Sequence, residues 1–366
     1  MNQPKQTIVH VITNFAGVGG AEMMLARLIQ QTQDQYAHVI IALMKTSEVY
    51  AETLAQCQSC HALGWNGINT LSTIKKLRVL LKALKPATVQ CWMYHANVLT
   101  SLSCIGLSPK PDIFWGIHHS LASPKEESLS TKIALAMSKV LAQQPKGVIY
   151  CAHSSLQQHQ GFGLKNNKAQ VIANGVFLDK FQPNPDLHEP LVIGFAGRYH
   201  MAKGYPYLFE TMSLLKAHRI VFKIAGSGAS LDNPEVKALF EQYQLDAQKV
   251  QLLDQVNDMP AFYQSIDVFL MTSITEGFPN VLVEAMASGL PCISTDVGDA
   301  RFIVKGIGSI VAPRNARALA DAILAYAGKS QAEKLQLKQQ ARERVEQNFS
   351  IESVSEQYMQ VWRAAQ

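Results

Sequence analysis

The sequence is poor in cysteine, and what it has is scattered: Cys57, Cys60, Cys91, Cys104, Cys151 and Cys292 among 366 residues. Only Cys57 and Cys60 stand at C-x-x-C spacing. A second pair at metal-ligand distance is missing, and so is a thioredoxin-like context, so reduced thiols are expected rather than a zinc site or a disulfide framework. Long hydrophobic runs are missing too. No apolar stretch approaches the roughly 18–20 residues that a bilayer-spanning helix needs. A strand-like run, Thr7–Ile12, begins a few residues after Met1 and leaves no room for a signal peptide, so a cytoplasmic protein is expected. The basic residues lack aromatic interleaving and any nucleic-acid motif, so neither DNA nor RNA is an expected partner.

Apolar residues make up 48% of the chain and charged residues 17%, which is globular composition. At this length one hydrophobic core would be overstretched, and two α/β domains are expected. The charge is uneven. Residues 1–180 hold 16 Lys+Arg against 8 Asp+Glu, a balance of +8, which leaves −3 for residues 181–366 of the net +5. A basic half suits phosphate-rich ligands or an anionic membrane face. Dispersed, solvated lysines fit the count equally well. Lys75, Lys76, Arg78, Lys82 and Lys85 do form a local cluster on a predicted helix.

β-branched runs alternate with helical patterns throughout, the signature of parallel sheets covered by helices on both faces. Strands are predicted at 8–13, 38–43, 61–63, 89–92, 113–117 and 148–151, with helices near 21–33, 71–84, 96–105 and 127–142. A second series of strands follows at 191–196, 221–225, 250–252, 268–271, 292–295 and 309–311. Three prolines within residues 182–190 mark a linker. The expected domains are therefore 1–182 and 190–348. Long helices are predicted near 332–347 and 351–365, the second opened by Ser350 as N-cap. Two doubly wound, Rossmann-like domains facing a central cleft is the simplest architecture.

The first strand runs into Asn14-Phe15-Ala16-Gly17-Val18-Gly19-Gly20-Ala21-Glu22 and then a helix. Glycines here allow backbone N–H groups to approach a phosphate, aided by the helix N-terminus. The spacing is G-x-G-G and not the G-x-G-x-x-G of dinucleotide enzymes, and no ribose-holding acid follows strand two. A plain strand-to-helix turn explains the loop as well.

Three stretches in the second half carry more. In Gly197-Arg198-Tyr199-His200-Met201-Ala202-Lys203-Gly204 a strand end delivers two cations able to neutralise a diphosphate, Arg as a planar fork and Lys as a point charge. Gly226-Ser227-Gly228 is a tight turn permitting close backbone approach. In Thr275 to Gly289, Glu276 sits in a loop, Pro279 prevents an earlier helix start, and Glu284 lies about one turn inside the helix that opens near Asn280. Two carboxylates flanking a helix N-terminus suit a ligand with two polyhydroxylated rings and a diphosphate between them.

These residues resemble glycosyltransferase family 4, the retaining group with the GT-B fold. The resemblance spans nearly the whole chain and is most specific over Asn174-Gly175-Val176, the Gly197–Gly204 loop, Gly226–Gly228, the Glu276–Pro291 block and Thr295-Asp296-Val297-Gly298. It implies that Gly19 and Gly20 lie against the donor phosphates and that Arg198 and Lys203 stabilise the leaving diphosphate. Glu276 would hold donor-sugar hydroxyls and Glu284 the ribose. Gly226, Gly228, Gly277, Phe278 and the backbone around Asn280, Val281 and Leu282 would complete the donor site. His118 resembles the family histidine facing the donor sugar, with His119 beside it as the alternative. The resemblance further implies no metal or other cofactor, in keeping with the lack of an Asp-x-Asp motif. It implies domain closure around the donor, and a last helix, 350–366, crossing back to the first domain.

The donor expected first is a UDP-hexose or UDP-N-acetylhexosamine, with GDP-mannose second. The acceptor is expected to be a glycan or lipid-linked glycan of surface polysaccharide or lipopolysaccharide synthesis, with peripheral association at the inner membrane face. Two other classes compete: a nicotinamide oxidoreductase, which leaves the Glu276–Glu284 block unexplained, and a non-catalytic sugar-nucleotide-binding protein.

Overall fold

The computed structural model describes residues 5–17 and 19–364; Val18 of the glycine loop, and Ala365, where the last helix is expected to end, lie outside the described residues. The chain forms two compact units, one running to Gly175 and taking up the chain again from Ile351, the other Val176–Ser350.

In the first, the order is β1 (Gln6–Ile12), α1 (Gly20–Thr32), β2 (Tyr36–Ala42), α2 (Ala51–Ala55), β3 (Ser59–Ala62), α3 (Thr70–Leu84), β4 (Thr88–Trp92), α4 (Tyr94–Ser103), β5 (Asp112–Ile117), α5 (Leu129–Leu141), β6 (Gly147–Tyr150), α6 (His153–Phe162) and β7 (Ala169–Val171). In the second it is β8 (Leu191–Ala196), α7 (Tyr205–Leu214), β9 (Ile220–Ala225), α8 (Pro234–Gln242), β10 (Val250–Leu252), α9 (Met259–Gln264), β11 (Val268–Met271), α10 (Asn280–Ala287), β12 (Cys292–Thr295), α11 (Ala300–Val304), β13 (Ser309–Val311), α12 (Ala316–Ala327) and α13 (Gln331–Asn348). The last helix, α14 (Ile351–Arg363), belongs to the first unit.

Both sheets are parallel. Their strand orders are β3-β2-β1-β4-β5-β6-β7 and β10-β9-β8-β11-β12-β13. Each reverses direction of growth beside its first strand, at β1/β4 and at β8/β11. Such switch points open a crevice at the carboxyl ends of the strands. Central strands are buried on both faces, as in β4 and β11, which is why they read as unbroken apolar runs.

The unit boundary falls earlier than the proline-rich stretch suggests. Residues 176–186 already pack on the second unit. Lys338 donates to the carbonyls of Asn184 and Asp186 at 2.8 and 2.7 Å, and Arg342 to that of Phe181 at 2.5 Å. Satisfied backbone carbonyls, rather than a flexible linker, fix this segment. In the first unit three short or polar elements escape the sequence patterns: α2, α6 and the edge strand β7. The helix expected from Glu127 starts at Leu129, because the Ser128 side chain accepts from Thr131 N–H and caps it there.

A buried chain of polar side chains crosses the first unit under α14. Trp92 Nε1 donates to His10 Nδ1 (3.3 Å), His10 Nε2 lies 3.0 Å from His38 Nδ1, and His38 Nε2 lies 3.0 Å from Thr32 Oγ1. Thr32 in turn donates to the Leu28 carbonyl at 2.6 Å. An indole only donates, so His10 must accept at Nδ1 and carry its proton on Nε2, and the same logic passes to His38. Both rings are neutral. Burial, together with the neighbouring His38, holds the pKa of His10 well below its usual value, and burial pulls that of His38 down to about 4.

Candidate active site

In the second unit, the loops after β8 and β11 meet at the switch point. The β8 loop is tied to the Gly226–Gly228 turn: Gly197 N–H donates to Ala225 O and Tyr199 N–H to Ser227 O, each at 2.8 Å. That turn is held in its own right, because Asp254 accepts from Gly226 N–H through its carbonyl (2.7 Å) and from Gly228 N–H through its carboxylate (2.8 Å). Lys203 ends a short 3-10 turn, and Gly204 follows at φ +68°. A Cβ at Gly204 would stand 2.1 Å from the Thr272 carbonyl oxygen, so only glycine lets the two loops approach this closely.

The approach brings Lys203 Nζ within 2.6 Å of Glu276 Oε1, which also accepts from Ser273 Oγ at 2.8 Å. The pair is mostly shielded, the side chains being 24% and 15% exposed, so it feels a lower dielectric than a surface bridge. The cation and carboxylate that the sequence assigns to different parts of a ligand thus sit in one cluster. Arg198 is exposed on the same loop. The Thr295–Gly298 segment buttresses the carboxylate loop: Thr295 Oγ1 donates to Ser273 O (2.7 Å) and Asp299 N–H to Gly277 O (3.0 Å). At Gly298, φ +55°, a Cβ would be 2.2 Å from the Gly277 carbonyl oxygen.

α10 opens immediately after Pro279, without a side-chain cap. Its N-terminus is less open than the sequence suggests. The Leu282 N–H donates to Pro279 O at 3.0 Å, and the Leu282 side chain is fully buried. Phe278 is also buried, its ring 5.9 Å from that of Phe349. These two residues anchor the loop, and any ligand contact from them passes through backbone. Glu284 is 9% exposed and accepts from the Tyr263 hydroxyl at 3.3 Å. Ser273, Tyr263 and Asp254 carried no signal in the sequence. Tyr263 and Asp254 act through partners more than twenty positions away, and Ser273 through Glu276 three positions on.

In the first unit, a cavity of about 350 Å³ opens at the β1/β4 switch point. Gly19, Gly20, Glu22, His95, His118, His119 and Glu127 line it, along with Met93. Gly19 caps α1 in extended conformation, and Tyr50 donates from its hydroxyl to Gly17 O at 2.8 Å, fixing the glycine loop. Burial raises the pKa of Glu22. Met93 adopts φ +76°, a strained backbone at the cavity wall of the kind that concentrates at functional sites.

Both candidate histidines face this cavity, in different states. The His118 ring stacks on Trp92 at 5.0 Å, and neither ring nitrogen makes a hydrogen bond of ordinary length. Burial lowers its pKa to about 4 against the opposing influence of the nearby Asn174 side chain, leaving a neutral imidazole at pH 7. His119 Nε2 lies 2.7 Å from Glu127 Oε1. Glu127 is therefore a cavity residue and not the first residue of a helix.

The known families and folds agree with this geometry. The family described as Glycosyltransferase Family 4 matches residues 18–180, and that described as Glycosyl transferases group 1 matches residues 190–329. The chain is 29% identical over 216 residues to the putative colanic acid biosynthesis glycosyltransferase WcaL of Escherichia coli, covering 56% of this chain and 53% of that protein. It is 26% identical over 260 residues to the UDP-Gal:alpha-D-GlcNAc-diphosphoundecaprenol alpha-1,3-galactosyltransferase of Escherichia coli, covering 65% and 66%. These two matches span 53% and 66% of the relatives' own lengths. Among solved structures, Anabaena HepE in complex with UDP superposes with a TM-score of 0.84 at 18% identity, over 98% of this chain and 100% of that one.

Two Rossmann-like units of this strand order, superposing on HepE, give the GT-B fold, and the two family models make the chain a glycosyltransferase. Within that class, the chain belongs to glycosyltransferase family 4.

Proposed function

We propose that the protein transfers a hexose or N-acetylhexosamine from a UDP-sugar to a lipid-linked glycan, with retention of anomeric configuration, in the synthesis of a bacterial surface polysaccharide. The observation that carries this reading is the Lys203–Glu276 pair, 2.6 Å apart at a topological switch point and next to an uncapped helix N-terminus. The named relatives support it: one is a UDP-galactose-dependent transferase acting on a diphosphoundecaprenol-linked sugar, and HepE has been solved with UDP-glucose. A lipid-linked acceptor would place the proposed reaction at a membrane face. No helix among the described residues is long and apolar enough to cross a membrane, so the association proposed is peripheral.

Breaking the anomeric C–O bond places positive charge on the sugar and negative charge on the diphosphate. Arg198, Lys203 and the α10 N-terminus stabilise the latter, and this supply of protein charge makes a divalent metal unnecessary. Glu276 orients donor-sugar hydroxyls, its carboxylate held in place by the bonds from Lys203 and Ser273. His118, neutral and with both nitrogens uncommitted to ordinary hydrogen bonds, contacts the sugar. The acceptor hydroxyl attacks from the face the phosphate leaves, and its proton passes to the departing phosphate oxygen.

The test is nucleotide release from UDP-glucose, UDP-galactose, UDP-N-acetylglucosamine and GDP-mannose in the presence of lipid-linked acceptors, with the anomeric coupling constant of the product read by NMR. UDP release, a retained anomer and turnover unchanged by EDTA are expected. Turnover of GDP-mannose alone overturns the donor, an inverted anomer overturns the mechanism, and donor binding without release from any acceptor leaves a sensor in place of an enzyme.

A further inference from the structure

Away from both switch points, the outward faces of α3 and α5 have an unusual surface. Both helices pack on α4 and send residues into one core, Leu77 and Leu81 from α3, Ala134, Leu135 and Leu141 from α5. Their opposite faces therefore look outward on the same side of the first unit's sheet. A solvent-facing helix surface is normally polar. Here Leu129, Ile133 and Val140 are 74%, 54% and 84% exposed, at spacings of four and seven that put them on one stripe of α5. On α3, Leu71 and Val79 are 77% and 67% exposed. In the second unit, Met201 is the one large apolar residue more than half exposed among the described residues.

The charge between these side chains has one sign. Lys75, Lys76 and Lys82 are exposed on α3, and Lys132 and Lys139 on α5. Neither helix contains an acidic residue, and none occurs anywhere between Glu52 and Asp112. Glu126 and Glu127 stand just ahead of α5, the latter turned to His119. Single aliphatic side chains among lysines, with no aromatic residue on either helix and the one arginine, Arg78, turned to the Ser103 and Ile105 carbonyls, suit a deformable partner better than a protein hot spot. Lysines can lay their stems along apolar surface and carry their charge to headgroup level.

We propose that the outer faces of α3 and α5 form the surface on which this protein docks to an anionic phospholipid bilayer, the aliphatic side chains entering the headgroup–acyl boundary and the lysines meeting lipid phosphates. This rests on the membrane placement proposed above and not on the sugar chemistry. The full-length protein is to be sedimented with vesicles of phosphatidylcholine alone and of phosphatidylcholine mixed with phosphatidylglycerol. Binding to the mixed vesicles only, weakened by salt, is expected. Each lysine near an anionic surface contributes roughly fivefold to binding, so a Lys75→Glu, Lys76→Glu, Lys82→Glu variant should bind at least about a hundredfold more weakly. A Leu129→Gln, Ile133→Gln, Val140→Gln variant should lose binding even at low salt. Both should keep the wild-type circular dichroism and the thermal shift given by UDP-glucose. Failure of the wild type to sediment, unaltered binding by either variant, or a glutamine variant that changes oligomeric state while vesicle binding persists would overturn the docking surface. A wild type that binds vesicles but shows no UDP-glucose shift instead overturns the donor reading alone.

Discussion

The two units build their sheets in the same strand order and put opposite kinds of chemistry at the reversal. At β8/β11 the second unit places a charged pair, Lys203 with Glu276, on loops locked by Gly204, Gly298 and a net of backbone bonds. At β1/β4 the first places His118, kept neutral by burial and stacked on Trp92, at a cavity. Binding a diphosphate calls for fixed charge. Recognising sugar hydroxyls calls for neutral groups that both donate and accept. The same scaffold serves either purpose because a switch point supplies only the crevice, and the loop residues supply the chemistry.

The contrast can be broken most forcefully at the charged pair. Lys203→Ala and Glu276→Ala should each lower kcat by about a hundredfold or more, the range seen on removing a group that stabilises developing charge, with little change in Tm. Near-normal turnover in either would sink the site as drawn.

The next largest effect belongs to the neutral histidines of the first unit. His38, His118 and His159 have folded pKa values of about 4, and that of His10 is also held well below normal. A base whose folded pKa lies below its unfolded value of about 6.5 takes up its proton more readily on unfolding. Its stabilising contribution is therefore present above about pH 6.5 and is lost as pH falls toward 4, on the order of 1.4 kcal/mol per pH unit for each group. Trp65, Trp92, Trp115 and Trp362 all lie in this unit, so tryptophan fluorescence reports it selectively. Between pH 7.5 and 5 the urea midpoint read by fluorescence should fall further than the one read by circular dichroism. Equal shifts would show that the histidines do not set the acid stability of the first unit.

A smaller effect is expected from Gly204→Ala, which combines a left-handed backbone with a clash against Thr272 O. It should cost roughly 2–4 kcal/mol, visible as a lower Tm together with lost activity. Smallest should be Ser273→Ala. Losing one hydrogen bond to Glu276 removes about 1 kcal/mol of orientation, a several-fold fall in kcat with Tm nearly unchanged. A fall as large as that of Glu276→Ala would give Ser273 a direct role in the reaction.

The second unit's loops were largely legible beforehand because their signals are local. Pro279 followed by Asn280 starts a helix, Gly289 ends it, and Gly226-Ser227-Gly228 is a turn by composition. What supports them was not legible. Tyr263 reaches Glu284 from another helix, and Lys203 meets Glu276 across 73 positions. Leu282 was expected at the ligand through its backbone and Phe278 beside it; that packing draws both side chains into the interior was not legible. In the first unit the glycine loop was ambiguous, since a G-x-G-G turn serves a phosphate or nothing at all. His118 was preferred to His119 on resemblance alone, because a strand end says nothing about which neighbour stacks on Trp92 and which finds Glu127.

Taken alone, the order of residues determined the alternation of strands and helices, the two-unit plan and the chemistry of the carboxylate block, since periodicity and turn residues act over a few positions. Only the tertiary structure decided which charges meet, which histidines stay neutral, and that the lysines of α3 share their surface with exposed aliphatic side chains. Those outcomes depend on burial and on contacts between segments far apart in sequence. Such contacts exist only once the sheets have brought distant loops to one edge.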